Sequence, residues 1–282
     1  MKIPRYYYFA VAILFILFAY FSYQIFVAVQ PLQVVFFDVG QGDSILIQKG
    51  TQQILIDGGP SGKTELAKLG KYLPYFDREI EIVIATHPDK DHIAGLVEVA
   101  RNYRIGKVLA TGAEKDTQVY KEWKDVLSYN KIETLEAARG MEVKFENFDM
   151  KIIHPQAKVN ASVGDANNDS IVMRLDHGEN SFLFTGDIES SAENEILDSG
   201  ENIDVDILKV AHHGSKYSSS DAFLDAASPE EAVISVSKNN SYGHPTEAVL
   251  KSLQARNVEI FRTDKNGDIA YKCSNSSKQC IN

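Results

Sequence analysis

The segment His87-Pro88-Asp89-Lys90-Asp91-His92 constrains this chain more than any other. It follows directly on Glu81-Ile82-Val83-Ile84-Ala85-Thr86, a compact Ile/Val run of the kind that forms a buried strand. Two imidazoles and two carboxylates interleaved on a tight loop at one strand end point into one space. A lone histidine in such a place is ordinarily structural, but this interleaving is a metal-binding pattern.

The remainder of the chain supplies a frame for that loop. Runs at 32–37, 44–48 and 53–57 have β character and are bounded by Gly-containing turns, so they read as a strand meander. Helical spacing follows at 64–73, then the strand 81–86 and a helix over 93–102. A strand at 108–111, a helix at 117–129 and a strand pair within 142–153 continue the theme. The second half places a hairpin at 170–175 and 181–185, a helix at 190–199, and a strand at 205–210 that leads into Ala211-His212-His213-Gly214-Ser215. A strand at 232–235, a helix at 247–256 and strands at 259–261 and 268–271 close it. Strands outnumber helices, and polar clusters recur at strand ends. The expected class is α+β, a four-layer αββα sandwich over residues 31–282.

Residues 1–30 stand apart. No charge occurs from Tyr6 to Phe37, and 6–29 is apolar enough to cross a bilayer as a helix, which takes about 20 residues. A cleaved signal peptide is the competing reading, but Phe26-Val27-Ala28 is a poor cleavage site, so an uncleaved anchor is preferred. With Lys2 and Arg5 before the span, the expected location is the cytoplasmic membrane, single-pass, with the catalytic domain extracytoplasmic. Cys273 and Cys280 suit that placement, because a disulfide between them would close a small loop in an oxidising compartment. A formal net charge of −10 excludes a protein that wraps nucleic acid on a broadly basic surface. A polyanionic substrate must then meet a local basic patch or metal ions.

The loop at 87–92 resembles the His-x-His-x-Asp-His motif of metallo-β-lactamase-fold hydrolases. Leu55-Ile56-Asp57-Gly58-Gly59, Phe184-Thr185-Gly186-Asp187 and Tyr242-Gly243-His244-Pro245 are similar to further motifs of that family, in order. Asp38-Val39-Gly40-Gln41-Gly42-Asp43-Ser44, Asn167-Asn168-Asp169-Ser170 and Ala211-His212-His213-Gly214-Ser215 resemble the extracellular hydrolase domain of ComEC-type DNA-uptake proteins. The resemblance covers about residues 33–271 and leaves out the channel domain of full-length ComEC proteins. Asp89 stands where most of the superfamily has a second histidine, and Asn168 falls where a third histidine is usual. An oxygen-richer ligand shell would move metal preference from zinc toward manganese or magnesium.

The resemblance implies one or two divalent ions held by His87, Asp89, Asp91, His92, Asp187 and His244. Asp91 would orient or deprotonate the attacking water. His212 and His213 fall where phosphodiesterases of this fold place a further histidine, so one is an additional ligand or the general acid, and the sequence leaves the two roles open. Asp57 would hold the metal loop from behind. Asn168, Gly214, Ser215 and Lys216 are candidate substrate or supporting contacts, with Gly214 and Ser215 offering donors to a phosphate. Asp43 is read first as a brace of the Gly40–Gly42 turn, and His154 and His177 are read as structural. The expected substrate is DNA or another phosphodiester, with Lys209, Lys216, Lys238 and Arg262 as candidate phosphate contacts. Two other readings are open: hydrolysis of a lactone, thioester or other small ester, which the acidic balance favours, and a non-catalytic envelope binding module.

Overall fold

The computed structural model describes residues 4–28, 30–145, 148–156, 166–273 and 280. After helix α1 (Arg5–Ala28), the chain lays down β1 (Leu32–Phe36), β2 (Ile45–Lys49) and β3 (Gln52–Ile56) as an antiparallel meander. There follow α2 (Gly62–Tyr72), β4 (Glu79–Ala85), α3 (Lys90–Asn102), β5 (Arg104–Ala110), α4 (Gln118–Tyr129) and β6 (Glu133–Glu136), with β3 to β6 parallel. A second meander comprises β7 (Glu142–Phe145), β8 (Phe148–His154), β9 (Val172–His177) and β10 (Asn180–Phe184). Next come α5 (Ser190–Ser199), β11 (Ile207–Lys209), α6 (Asp221–Ala227), β12 (Glu231–Ile234), α7 (Glu247–Ala255), β13 (Glu259–Arg262), α8 (Thr263–Asn266) and β14 (Ile269–Cys273).

These strands make two seven-stranded sheets, ordered β14-β1-β2-β3-β4-β5-β6 and β13-β12-β11-β10-β9-β8-β7. The period of two along each strand decides the layering. Leu32, Val34 and Phe36 of β1 join Met150, Ile152, Phe182 and Phe184 in a core between the sheets. Val35 and Phe37 point the other way, into a second core with α2, α3 and α4. Leu183 and Leu208 likewise meet α5, α6 and α7 on the outer face of the second sheet. The result is the expected αββα sandwich.

The anchor is not part of it. A helix does form over Arg5–Ala28, but among the described residues no helix is long and apolar enough to cross a membrane. The expectation of a single-pass, extracytoplasmic protein is withdrawn with the anchor. Cys273 and Cys280 are joined in a disulfide.

Close backbone approach fixes the ligand loop against the first sheet. Gly58 N donates to His92 O at 2.7 Å and Gly95 N to Gly59 O at 2.9 Å, tying the exit of β3 to the first turns of α3. A Cβ on Gly95 would lie 1.7 Å from Gly58 O, so only glycine allows this contact.

Beneath the same loop, Glu65 of α2 is fully buried. Burial pushes its carboxyl from 4.5 up to about 8, against the pull of Ser44 and Lys68. The folded chain therefore binds a proton there that the unfolded chain releases above about pH 4.5. This contribution to stability is full below that pH and is lost as pH rises through about 8. Thermal unfolding of the wild type between pH 5 and 8 should show a fall in Tm that Glu65→Gln, which cannot ionise, largely removes. Parallel pH profiles for the two proteins would contradict this assignment.

Candidate metal centre

The site lies where the C-terminal ends of strands from both sheets meet. Asp57, immediately after β3, adopts a left-handed φ of 56° that turns its carboxylate back toward β4. There it accepts from Thr86 N at 2.8 Å and from Thr86 Oγ1 at 2.7 Å, and it accepts from His92 Nδ1 at 2.8 Å. Thr86 Oγ1 has spent its proton on Asp57, so it accepts from His87 Nδ1 at 3.0 Å. His213 Nδ1 donates to Ser235 O, 2.8 Å away. Each of the three rings is thus held from behind through Nδ1–H, which leaves Nε2 facing the same space, where it can take a proton or a metal ion.

Asp187 fills that space from the loop after β10. Its Oδ2 lies 3.2 Å from His92 Nε2 and 3.3 Å from His213 Nε2. Asp91 Oδ2 is 3.6 Å from His213 Nε2. His213 reaches the cluster because His212, His213 and Gly214 take left-handed φ values of 47°, 55° and 82° in succession. Two consecutive non-glycine residues held there are strained, a condition that concentrates at functional sites. Gly214 is required in turn, since a Cβ there would sit 2.6 Å from Pro245 Cβ.

The same turn sends the two neighbouring imidazoles to different environments. His213 is buried, whereas His212 is 22% exposed, with Nδ1 3.2 Å from Glu189 Oε1 and Nε2 4.0 Å from Asp187 Oδ2. His212, Asp89, Asp91, Asp187, His213 and His244 line one cavity of about 130 Å³.

Electrostatics follow from burial and charge crowding. Burial holds His87 neutral, well below the ordinary imidazole value, with His92 adding to the effect. Burial opposes charge on His92 and His213 as well. In His92 the attraction of Asp187 and Asp57 overrides it and raises the pKa well above the ordinary value, and in His213 Asp187 and Asp91 push it up to about 9. Burial likewise opposes ionisation of Asp187, but the His213 and His92 rings outweigh it and keep the carboxylate charged.

These residues fit a divalent ion. Among the described residues, His87 Nε2, His92 Nε2, His213 Nε2 and Asp187 Oδ1 are buried with no hydrogen-bond partner. Ligand atoms of His87, His92 and Asp187 lie within 4.8 Å of one another, as do those of Asp91, His92 and His213. A mixed imidazole and carboxylate set of this kind suits zinc, manganese or iron.

Not every expected residue joins the cluster. Asp89 lines the cavity but forms an ion pair with Lys115. The His244 ring lies 5.8 Å from that of His212 and 5.8 Å from that of Tyr242, which stacks on it at the rim. Asn168 Oδ1 accepts from Glu189 N at 3.0 Å, and its backbone oxygen lies 2.8 Å from His154 Nε2. Gly214 O accepts from Thr246 N at 2.9 Å. Ser215 Oγ accepts from Tyr217 N at 3.3 Å, and Lys216 is exposed, with its ammonium 4.9 Å from the Tyr217 ring centre.

Three sequence expectations need correction. Asp43 is more than a turn brace: it is buried behind the imidazoles, with Oδ1 3.6 Å from His213 Nδ1 and Oδ2 in contact with the Lys209 ammonium. Lys209 is no surface phosphate contact, because it is fully buried and also donates to Gly186 O at 3.0 Å. Arg262 is engaged by Asp264 at 2.7 Å. Glu189 was not anticipated at all. Lys209 carried a legible sign, since a cation between Leu208 and Val210 on an apolar strand has to be paired. Glu189 carried none, since only the fold brings it to His212.

The chain matches the metallo-beta-lactamase superfamily over residues 37–238. It is similar to ComE operon protein 3 of Bacillus subtilis (strain 168), 30% identical over 259 residues that cover 84% of this chain and 32% of that protein. It is also similar to competence protein ComA of Neisseria gonorrhoeae, 29% identical over 238 residues, 83% of this chain and 31% of that protein. The chain therefore spans about a third of the length of these curated relatives. In fold it is similar to the metallo-beta-lactamase fold protein YhfI from Bacillus subtilis, with a TM-score of 0.56 at 14% identity, covering 86% of this chain and 100% of that one.

Proposed function

The chain belongs to the metallo-beta-lactamase superfamily, matched over residues 37–238, and from that premise we propose that it is a metal-dependent hydrolase that cuts phosphodiester bonds in DNA. The observation that carries the metal-dependent part is the convergence of three Nδ1-anchored imidazoles on Asp187. Asp91, His92, Asp187 and His213 would hold a zinc or manganese ion, with His87 beside them. Bound there, such an ion supplies a Lewis acid and lowers the pKa of water into the neutral range.

The chain's own groups divide the remaining work. Asp91, at the cavity wall, orients the attacking water. His212 has one nitrogen 3.2 Å from Glu189 Oε1 and the other facing the cavity, the arrangement of a residue that delivers a proton to a leaving oxygen. That assignment makes His213 the ligand and His212 the acid. Asp57 holds the loop in register through Thr86 and His92.

The choice of DNA rests on two supports. One relative is named a competence protein. Tyr242, exposed on the rim of the cavity, offers a ring face on which a base can stack, a contact that tolerates any sequence and does not depend on a basic surface.

The test is a metal-by-substrate screen of the full chain. Single-stranded DNA and bis-p-nitrophenyl phosphate should be hydrolysed when manganese or zinc is supplied, with activity lost on chelation and restored by the ion. Turnover of lactones or thioesters with none of phosphodiesters would replace DNA by a small ester as the substrate.

A further inference from the structure

Resting on the metal-dependent reading above, we infer that this site is built for a single divalent ion and that the buried Lys209 ammonium keeps a second one out. Asp187 is divided between two kinds of positive group. Its Oδ2 faces His92 Nε2 and His213 Nε2 at 3.2 and 3.3 Å, while its Oδ1 lies 3.7 Å from Lys209 Nζ. A carboxylate that serves two ions needs oxygen lone pairs free on both sides, and here one side is met by a fixed cation. Lys209 cannot swing away. Its ammonium is fully buried, contacts Asp43 and donates to Gly186 O at 3.0 Å. In a dry site the repulsion between that ammonium and an added divalent ion is poorly screened.

The donor groups point the same way. His87–His92–Asp187 and Asp91–His92–His213 both include His92, whose other nitrogen is committed to Asp57, so its one remaining lone pair serves one ion. The group that leaves His92 out, Asp43–Asp187–His213, is the one the Lys209 ammonium already occupies, in contact with Asp43 and 3.7 Å from Asp187 Oδ1. Asp89, which lines the cavity, is ion-paired with Lys115, and Asn168 Oδ1 is taken by the Glu189 amide at 3.0 Å. His87 is close enough to His92 and Asp187 to serve the same ion as they do.

Native mass spectrometry of the full chain, saturated with zinc or with manganese, tests this directly. One ion per wild-type chain is expected. Two retained ions overturn the inference and leave metal-dependent hydrolysis intact, whereas no ion and no metal-dependent hydrolysis overturns the reading beneath it. In Lys209→Met the count should rise from one to two. Because that change leaves the Asp43 carboxylate buried and unpaired, the double variant Asp43→Asn/Lys209→Met is measured beside it. A folded variant of either kind that still holds one ion refutes the role of the ammonium, and if neither folds, the wild-type count decides.

Discussion

Replacing Asp187 with asparagine is expected to empty the centre and to slow hydrolysis by on the order of a thousandfold, the kinetic equivalent of about 4 kcal/mol. The substitution keeps the volume of the side chain and removes its charge, so packing around the loop is preserved. What is lost is specific. Among the described residues, Asp187 Oδ2 is the one oxygen within 3.3 Å of both His92 Nε2 and His213 Nε2. With the charge gone, the two rings no longer converge on an anion, and the four-residue set that would hold the ion is broken. The measurements are ion content by mass spectrometry and kcat on bis-p-nitrophenyl phosphate under saturating metal. A variant that keeps its full ion content and more than a tenth of wild-type activity would remove Asp187 from the proposed mechanism.

The architecture was legible because the local rules of the chain agree with its global fold. Alternation in 32–37 split cleanly between the inter-sheet core and the helix-facing core. The ligand loop stood out because interleaved His and Asp residues have no use in a core. Helix α6 was missed, since Asp221–Ala227 is seven residues, too short for a helical period to declare itself. Its one local sign was Ser220, whose hydroxyl caps Phe223 N at 3.3 Å. The strand expected over 205–210 shrank to Ile207–Lys209 because the chain leaves the sheet to make the left-handed turn at His212 and His213. The pairing of Asp43 with Lys209 is not legible in the sequence because their contact is made across two sheets. Composition could suggest that a buried lysine needs a carboxylate, but only the fold shows which one. The N-terminal segment differs for another reason: its apolar composition suggests a membrane span, but among the described residues no helix meets that requirement.

Separating His212 from His213 was beyond the sequence, and it yields the second large expected effect. His212→Ala should reduce cleavage of DNA by about 100- to 10,000-fold, the range that a positioned general acid contributes. On bis-p-nitrophenyl phosphate the loss should be roughly tenfold or less, because p-nitrophenolate departs without needing a proton. Ion content should be unchanged, since His212 sits 22% exposed on the cavity side of the turn while its neighbour makes the contacts to Asp187 and Asp91. His213→Ala should behave in the opposite way, losing ion content and both activities together. The contrast between the two substrates carries the argument, because a general loss of structure would slow both alike. Equal losses on both substrates in a folded His212→Ala protein would show that the ring is not delivering a proton. Glu189→Gln, which keeps a hydrogen-bond acceptor beside His212 Nδ1 but removes its charge, should reproduce the same selectivity at smaller amplitude.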